Sequence, residues 1–382
     1  MFGDVMKTKL SIIGLSLLAT TSAFAQSSVT LYGLIDEGIG FTNNSGGHKA
    51  WQMQSGWVAG DRWGVKGTED LGGGYKAVFT LENGFDLNSG SFGQAGRMFG
   101  RQAYVGVQTD RFGSITAGRQ YDSVVDYLAP LTANGGYAGW PFSHPYDNDN
   151  TDNSFRINNA IKYASAGYGG FRFGGTYALS NQSGGFANNR SYSVGASYTG
   201  GAFSVAAAYL QANNPGRNAT GALSTDDTNF TAGRQRIWGL AGTYTWESAT
   251  FGVSYTHTAV DNATGSVYLG ALPAGISSLK FDNFEVNGRY QFTPALSALA
   301  VYTFTEGRFD ANGGSSKPKW HQGGLMVDYL LSKRTDLYAQ AVYQHASGGT
   351  GSLFDNAYIT GSAGISSNSS QVLARVGIKH TF

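Results

Sequence analysis

Segments in which apolar and polar residues alternate recur about sixteen times between the N-terminal region and the last residue of this chain. A period of two residues is typical of a β-strand with one apolar and one polar face. The last such segment, ARVGIKHTF at residues 374–382, alternates up to the final residue. Because terminal backbone is rarely held in place, a final residue inside a sheet indicates that a partner strand binds it.

The connections between these segments alternate in length. Short turns at residues 71–74, 110–112 and 200–201 alternate with polar loops at residues 86–97, 122–155, 212–234, 260–280, 308–318 and 346–370. Short turns at one end and long loops at the other are typical of an up-and-down barrel that crosses a membrane. The sequence therefore predicts an all-β fold, a transmembrane antiparallel β-barrel of about 16 strands.

A soluble β-sandwich is the alternative, since its strands also have one apolar face, packed in a core. The number of strands and aromatic residues at strand ends, such as Trp238 and Trp246, favour the barrel. Charged residues make up only 13% of the chain, about half the usual share. In hydrocarbon, an open sheet edge would leave backbone groups unpaired, so the sheet must close. We therefore expect the last strand to pair with SSVTLYGLIDEG at residues 27–38.

The N-terminus predicts export. Lys7 and Lys9 precede the apolar run LSIIGLSLLAT, which is followed by Ala23-Phe24-Ala25. This pattern predicts a signal peptide at residues 1–25, followed by one barrel domain at residues 26–382. A membrane-anchoring helix is the alternative, but the apolar run is shorter than the roughly 20 residues that a spanning helix needs.

Composition excludes several function classes. The chain has no cysteine, which excludes disulfide scaffolds, thiol catalysis and cysteine metal sites. A formal net charge of +1 provides no basic field for nucleic acid. None of the six histidines lies within four residues of another, so a metal site has no framework. We expect no enzyme activity and no cofactor.

Three stretches and the terminal phenylalanine together resemble the Gram-negative general porins, in the branch typical of β-proteobacteria. The stretches are SSVTLYGLIDEGIG, DRWGVKGTEDLGGGYKAVFTLENGF and RQAYVGVQTDRFGSITAGRQYD. The resemblance implies an outer-membrane homotrimer through which small hydrophilic solutes and ions diffuse passively. It also implies contact with outer-membrane lipid and lipopolysaccharide, and recognition of Phe382 as an assembly signal by the outer-membrane insertion machinery.

The longest loop is the candidate for narrowing the pore. Residues 122–155 contain five aspartates, Asp122 and Asp126 among them, and no lysine or arginine. In the porin family the third loop folds into the barrel lumen. The resemblance therefore implies that this acidic loop forms one side of the constriction.

The opposite side is predicted from side-chain parity, because residues on one face of a strand recur at every second position. The basic residues predicted to face the lumen there are Arg62, Lys66, Arg101, Arg156 and Lys162. The resemblance implies that three of these, Arg62, Arg101 and Arg156, match the arginine cluster of anion-selective relatives, and that Glu82 matches an acidic neighbour. We expect an anion-preferring pore. The alternative, in which each arginine only pairs with a loop carboxylate, leaves the sign of selectivity open.

Two other functions fit a barrel of this kind. A substrate-specific outer-membrane channel would need a line of aromatic residues along the lumen, whereas the positions predicted to face inward are mostly small or polar. A structural or adhesive surface barrel without a transport role would more naturally be smaller and filled by side chains.

Overall fold

The structure, a computed structural model, describes residues 28–382, which form a closed antiparallel β-barrel of 16 strands. The sheet has 18 strand segments, of which two make one interrupted strand and one is a three-residue piece of a loop. The predicted signal peptide lies outside the described residues. Within residues 28–382, no helix is long and apolar enough to cross a membrane.

Each barrel strand pairs with the strands before and after it in the chain. The strands are β1 (Ser28–Ser45), β2 in two parts (His48–Ser55 and Arg62–Gly72), β3 (Tyr75–Gly84), β4 (Gln102–Thr109), β5 (Gly113–Gln120), β6 (Ile157–Ala164), β7 (Phe171–Ala178), β8 (Ser191–Gly200), β9 (Phe203–Asn213), β10 (Arg234–Trp246), β11 (Ala249–Asp261), β12 (Ile276–Gln291), β13 (Leu296–Ala311), β14 (Lys319–Leu330), β15 (Thr335–Ser347) and β16 (Ser370–Thr381).

The first and last strands close the barrel. β1 pairs with β16 in a continuous register from Leu34 opposite Thr381 to Thr42 opposite Leu373. The ladder extends to the chain end, because the Phe382 N–H donates to the Gly33 carbonyl at 3.0 Å and the Gly33 N–H donates back at 3.2 Å. The predicted closing pair is confirmed.

The two faces of the wall differ in chemistry. Large apolar side chains on the outside are strongly exposed, as at Leu31 (64%), Val105 (61%) and Leu325 (62%). The lumen side carries polar residues that are buried, such as Thr256 and Gln340. A continuous apolar band of this kind is unfavourable in water and suits the hydrocarbon of a bilayer.

Long loops lie at one end of the barrel and short turns at the other. The loop between β5 and β6, residues 121–156, is called loop 3, and the loop between β9 and β10, residues 214–233, is called loop 5. The remaining long connections are at 85–101, 179–190, 262–275, 312–318 and 348–369. The loop at 179–190 lies between two of the alternating segments and is not among the polar loops named from the sequence.

β2 differs from the sequence prediction. The sequence predicts one strand from the segment WVAGDRWGVKGT at residues 57–68. In the structure, residues 56–61 leave the sheet and pairing resumes at Arg62. A carboxylate of the neighbouring strand takes the place of the ladder partners: Asp36 accepts hydrogen bonds from the N–H groups of Val58 and Ala59. We call residues 56–61 the β2 excursion.

The contact between Phe382 and Gly33 predicts a graded effect on barrel closure. A Cβ atom on Gly33 would lie 2.4 Å from the Phe382 ring, so ring and backbone are tightly packed. Phe382→Ala removes the ring, whereas deletion of Phe382 also removes two backbone hydrogen bonds, each contributing about 0.5–1.5 kcal/mol. We expect the folded fraction after refolding into lipid vesicles to fall from wild type to Phe382→Ala to the deletion, as measured by heat-modifiable gel mobility.

Phe292→Ala is the matched control, since Phe292 is also exposed, at 59%, and lies outside the closing pair. Equal refolding of the deletion and the wild type would contradict a role for the terminal residue in closure.

Candidate pore constriction

Loop 3 runs along the inner face of the wall. Its first contact with the wall is at β8, where the Ser123 N–H donates to the Ser193 hydroxyl at 3.0 Å. At the far side of the lumen it contacts β14 and β15, where the side-chain amides of Gln322 and Gln340 donate hydrogen bonds to backbone carbonyl groups of the loop. Between these points, Asn148 exchanges side-chain hydrogen bonds with an inward-pointing asparagine of β12. The loop therefore covers the β8–β15 half of the wall and leaves the β2–β6 half facing the remaining lumen.

A buried histidine fixes the middle of loop 3. His144 Nδ1 lies 2.6 Å from Asp149 Oδ2, and His144 Nε2 lies 3.7 Å from Glu285 Oε2 of β12. All three side chains have no solvent exposure. Burial by itself lowers the pKa of His144, but the two carboxylates outweigh burial and raise it to about 10. At neutral pH a cationic imidazole therefore joins the loop to the wall.

Three arginines converge on the opposite side. Arg62 of β2, Arg101 before β4 and Arg156 before β6 line one cavity of about 530 Å³, which loop 3 also borders. Since a water molecule occupies about 30 Å³ in the liquid, this cavity has room for many waters. The three arginines predicted from the sequence thus line the same cavity, and their role at a constriction stays a prediction.

The three arginines differ in their partners. Arg101 Nε donates to Glu82 Oε1 at 2.8 Å, which neutralises that pair. Arg62 Nε donates to the Gly60 carbonyl at 2.8 Å, and the buried Nε of Arg156 has no hydrogen-bond partner. Within residues 28–382, no carboxylate oxygen lies within 4.0 Å of the Arg62 or Arg156 guanidinium. Two positive charges thus border the cavity without a carboxylate partner.

Two basic residues of the sequence prediction lie outside this cavity. Lys66 is exposed, with its ammonium 5.2 Å from the centre of the Tyr32 ring. Lys162 forms an ion pair with Asp126 in a separate space beneath loop 3. Their role at the constriction stays a prediction.

Asp122 lies at the start of loop 3 and is fully buried. Its carboxylate accepts hydrogen bonds from the N–H groups of Val124 and Val125 and from the side chain of Asn150. Burial raises the pKa of Asp122 to about 6. Its contacts hold the loop together rather than facing the arginines.

Three acidic residues line the arginine cavity, one from the predicted acidic loop and two that sequence reasoning missed. Asp152 belongs to loop 3, and Asp226 and Asp227 belong to loop 5. Asp226 pairs with Arg97 at 2.7 Å and Asp227 with Arg119 at 2.5 Å, so both are neutralised locally. Burial, with the nearby charge of Asp147, raises the pKa of Asp152 well above its usual range. The acidic content of loop 3 therefore overstates the negative charge at the cavity.

Comparison with known proteins gives one family. The family model described as Gram-negative porin matches residues 14–349. An outer membrane porin protein of Bordetella pertussis is 32% identical over 374 residues, covering 88% of this chain and 94% of its own. Outer membrane porin protein 32 of Delftia acidovorans is 28% identical over 391 residues, covering 98% of this chain and all of its own.

Solved structures share the fold. The anion-selective porin from Comamonas acidovorans has a TM-score of 0.70 at 22% identity, covering 94% of this chain and 100% of its own. OmpT of Vibrio cholerae, in its trimer form, has a TM-score of 0.62 at 17% identity, covering 93% of this chain and 99% of its own. These likenesses establish the barrel architecture.

The buried His144 predicts that the attachment of loop 3 to the barrel wall depends on pH. A folded-state pKa of about 10 exceeds the ordinary value of about 6.5. The stabilisation by His144 is therefore complete below pH 6.5 and is lost as the pH rises through about 10. His144→Gln leaves two buried carboxylates without a counter-charge, at a cost of about 3–5 kcal/mol. We expect faster proteolysis within loop 3 at pH 7, and a flatter decline of the unfolding temperature toward pH 10.

His321→Gln serves as the control, since this histidine is exposed on the outer wall and contacts the Tyr302 hydroxyl. If His144→Gln and His321→Gln had the same proteolysis rate and pH profile as the wild type, the buried charge cluster would not hold the loop.

Proposed function

The chain belongs to the Gram-negative porin family and is an outer-membrane porin, and from this premise we propose that its pore prefers anions, with Arg62 and Arg156 as the source of the preference. The observation that supports this most directly is that both guanidinium groups border a cavity large enough for many waters and have no carboxylate partner within 4.0 Å among residues 28–382. Arg101 completes the cluster and orients Glu82. The pore serves the passive diffusion of small hydrophilic solutes and ions.

The balance of charges around the cavity favours anions. The pairs Arg101–Glu82, Arg97–Asp226 and Arg119–Asp227 cancel locally. Two arginines then remain against Asp152, whose raised pKa reduces its negative charge at neutral pH. Because charges act more strongly where protein replaces bulk water, a net positive cavity lowers the free energy of a passing anion.

We also propose that the chain works as a homotrimer. Strands β4, β5, β6 and β7 each have only eight residues. Tilted at about 40°, such a strand spans about 20 Å of the membrane, less than the apolar band of about 25 Å. The 16-residue strands β12 and β13 span about 40 Å on the same basis. The side of the wall made by the short strands β4–β7, with Val105 and Ile115 exposed, therefore suits contact with another subunit better than contact with lipid.

The porin proposal also covers export, assembly and membrane contact. Residues 1–25 act as a cleaved signal peptide, and Phe382 at the end of the closing strand is the assembly signal for the outer-membrane insertion machinery. The taller β8–β15 side of the barrel faces outer-membrane lipid and lipopolysaccharide. The protein acts as a channel without enzymatic activity or a cofactor, as expected of the porin family.

The selectivity proposal predicts the sign of a reversal potential. In a planar bilayer under a tenfold KCl gradient, the wild type should show current steps and a reversal potential of the anion-selective sign. Arg62→Gln combined with Arg156→Gln should lower the anion-to-cation permeability ratio about fivefold, the equivalent of about 1 kcal/mol.

Arg308→Gln is the matched control, because Arg308 is exposed and lies on the outer face of β13. A cation-selective wild type, or a double variant with the same reversal potential as the control, would overturn the assignment of selectivity to these arginines. Absence of current steps from folded protein would overturn the channel itself.

A further inference from the structure

The β2 excursion carries a piece of the wall into the lumen. Residues 56–60 all line the arginine cavity. Trp57 is 1% exposed and belongs to an apolar cluster that includes Phe142 of loop 3. The Trp140 N–H of loop 3 donates to the Trp57 carbonyl at 2.8 Å. The excursion therefore contacts loop 3 directly inside the barrel.

Side chains from three strands hold the excursion in place. The Asp36 carboxylate of β1 accepts hydrogen bonds from the N–H groups of Val58 at 2.6 Å and Ala59 at 3.1 Å. The same carboxylate accepts from Tyr338 of β15 and from Arg375 of β16. Asp36, Tyr338 and Arg375 are all less than 5% exposed. The backbone of the excursion is thus fixed by a buried network.

The excursion also lies between two cavities. The arginine cavity is bordered by loop 5 residues and so lies toward the end with long loops. A second cavity, of about 410 Å³, is lined by residues at the opposite ends of strands, such as Ser297 and Thr381. Four residues line both cavities: Val58, Ala59, Asn134 and Gly135. The two cavities therefore adjoin at the space that these four residues border.

We propose that the β2 excursion is the second lip of the pore's narrowest passage, with Val58 and Ala59 on one side and Asn134 and Gly135 on the other. These residues set the largest solute that passes, whereas the arginines set its preferred charge. The inference rests on the proposed channel function and assigns its size limit to uncharged residues. Selectivity by size and selectivity by charge then depend on different parts of the lumen.

The two lips differ in how far they can be altered. A Cβ atom on Gly135 would lie 2.4 Å from the Ala129 carbonyl oxygen, so the loop 3 lip has no room for a side chain at this position. The Asn134 side-chain amide donates a hydrogen bond to the Thr151 hydroxyl. Ala59 is only partly buried and its backbone N–H, not its side chain, is held by Asp36. Ala59 is therefore the position at which the passage can be narrowed without removing a contact that holds it.

The test uses the absence of cysteine from the chain. Ala59→Cys is folded and inserted into a planar bilayer, and neutral methanethiosulfonate reagents of increasing size are then added, so that folding precedes the change. We expect the single-channel conductance to fall by at least about half with the larger reagents. The reversal potential should keep its sign, because no charge is added.

Ala166→Cys, in the turn between β6 and β7, is the control for labelling outside the passage. Its conductance should stay unchanged with the same reagents. A second readout uses Ala59→Phe in vesicles, where uptake of neutral sugars should be cut off at a smaller size than in the wild type.

The outcomes separate the two proposals. Channels that form in the wild type but keep full conductance after confirmed labelling of Ala59→Cys, with an unchanged sugar cut-off in Ala59→Phe, overturn the second lip and leave the channel function standing. A wild type that forms no channels overturns the channel function on which the inference rests.

Discussion

A backbone N–H or C=O group in hydrocarbon needs a partner within the protein, and the pairing of β1 with β16 meets that need at the seam of the sheet. Without that pair, two edges of the wall would be unsatisfied along their whole length. Closure also determines the chemistry of the lumen, because a period of two residues with apolar side chains outside must direct polar side chains inside. The polar lumen is thus a consequence of sealing the edge.

The polar inner face has two uses in this barrel. On the β8–β15 half, amides and carboxylates bind loop 3, and the buried His144 supplies a positive charge between Asp149 and Glu285. On the β2–β6 half, the same kind of surface remains open to the cavity and presents arginines. One half of the wall thus positions loop 3, and the other half presents charged side chains to the solutes in the lumen.

The sequence predicts the parts of this structure that depend on local periodicity. Strand number, the closing pair and the convergence of Arg62, Arg101 and Arg156 all follow from alternation, parity and the family resemblance. The β2 excursion does not, because it depends on a side chain far away in the chain: the carboxylate that binds the backbone of Val58 and Ala59 is that of Asp36 on a neighbouring strand. Loop chemistry was equally hard to predict, since loops have no period: Asp122 became an internal contact of loop 3, while Asp226 came to the cavity from loop 5.

The network that holds the β2 excursion joins the beginning of the barrel to its end. Asp36 belongs to the first strand, and its partners Tyr338 and Arg375 belong to the last two strands. During synthesis and insertion, the acceptor is therefore present long before its donors arrive. The passage takes its final shape only as the last strands dock, so sealing of the wall and restriction of the lumen are completed together. Before the last strands dock, the wall has an open edge and the lumen has no fixed size limit. Once they dock, the closed wall and the size limit of the lumen are both in place.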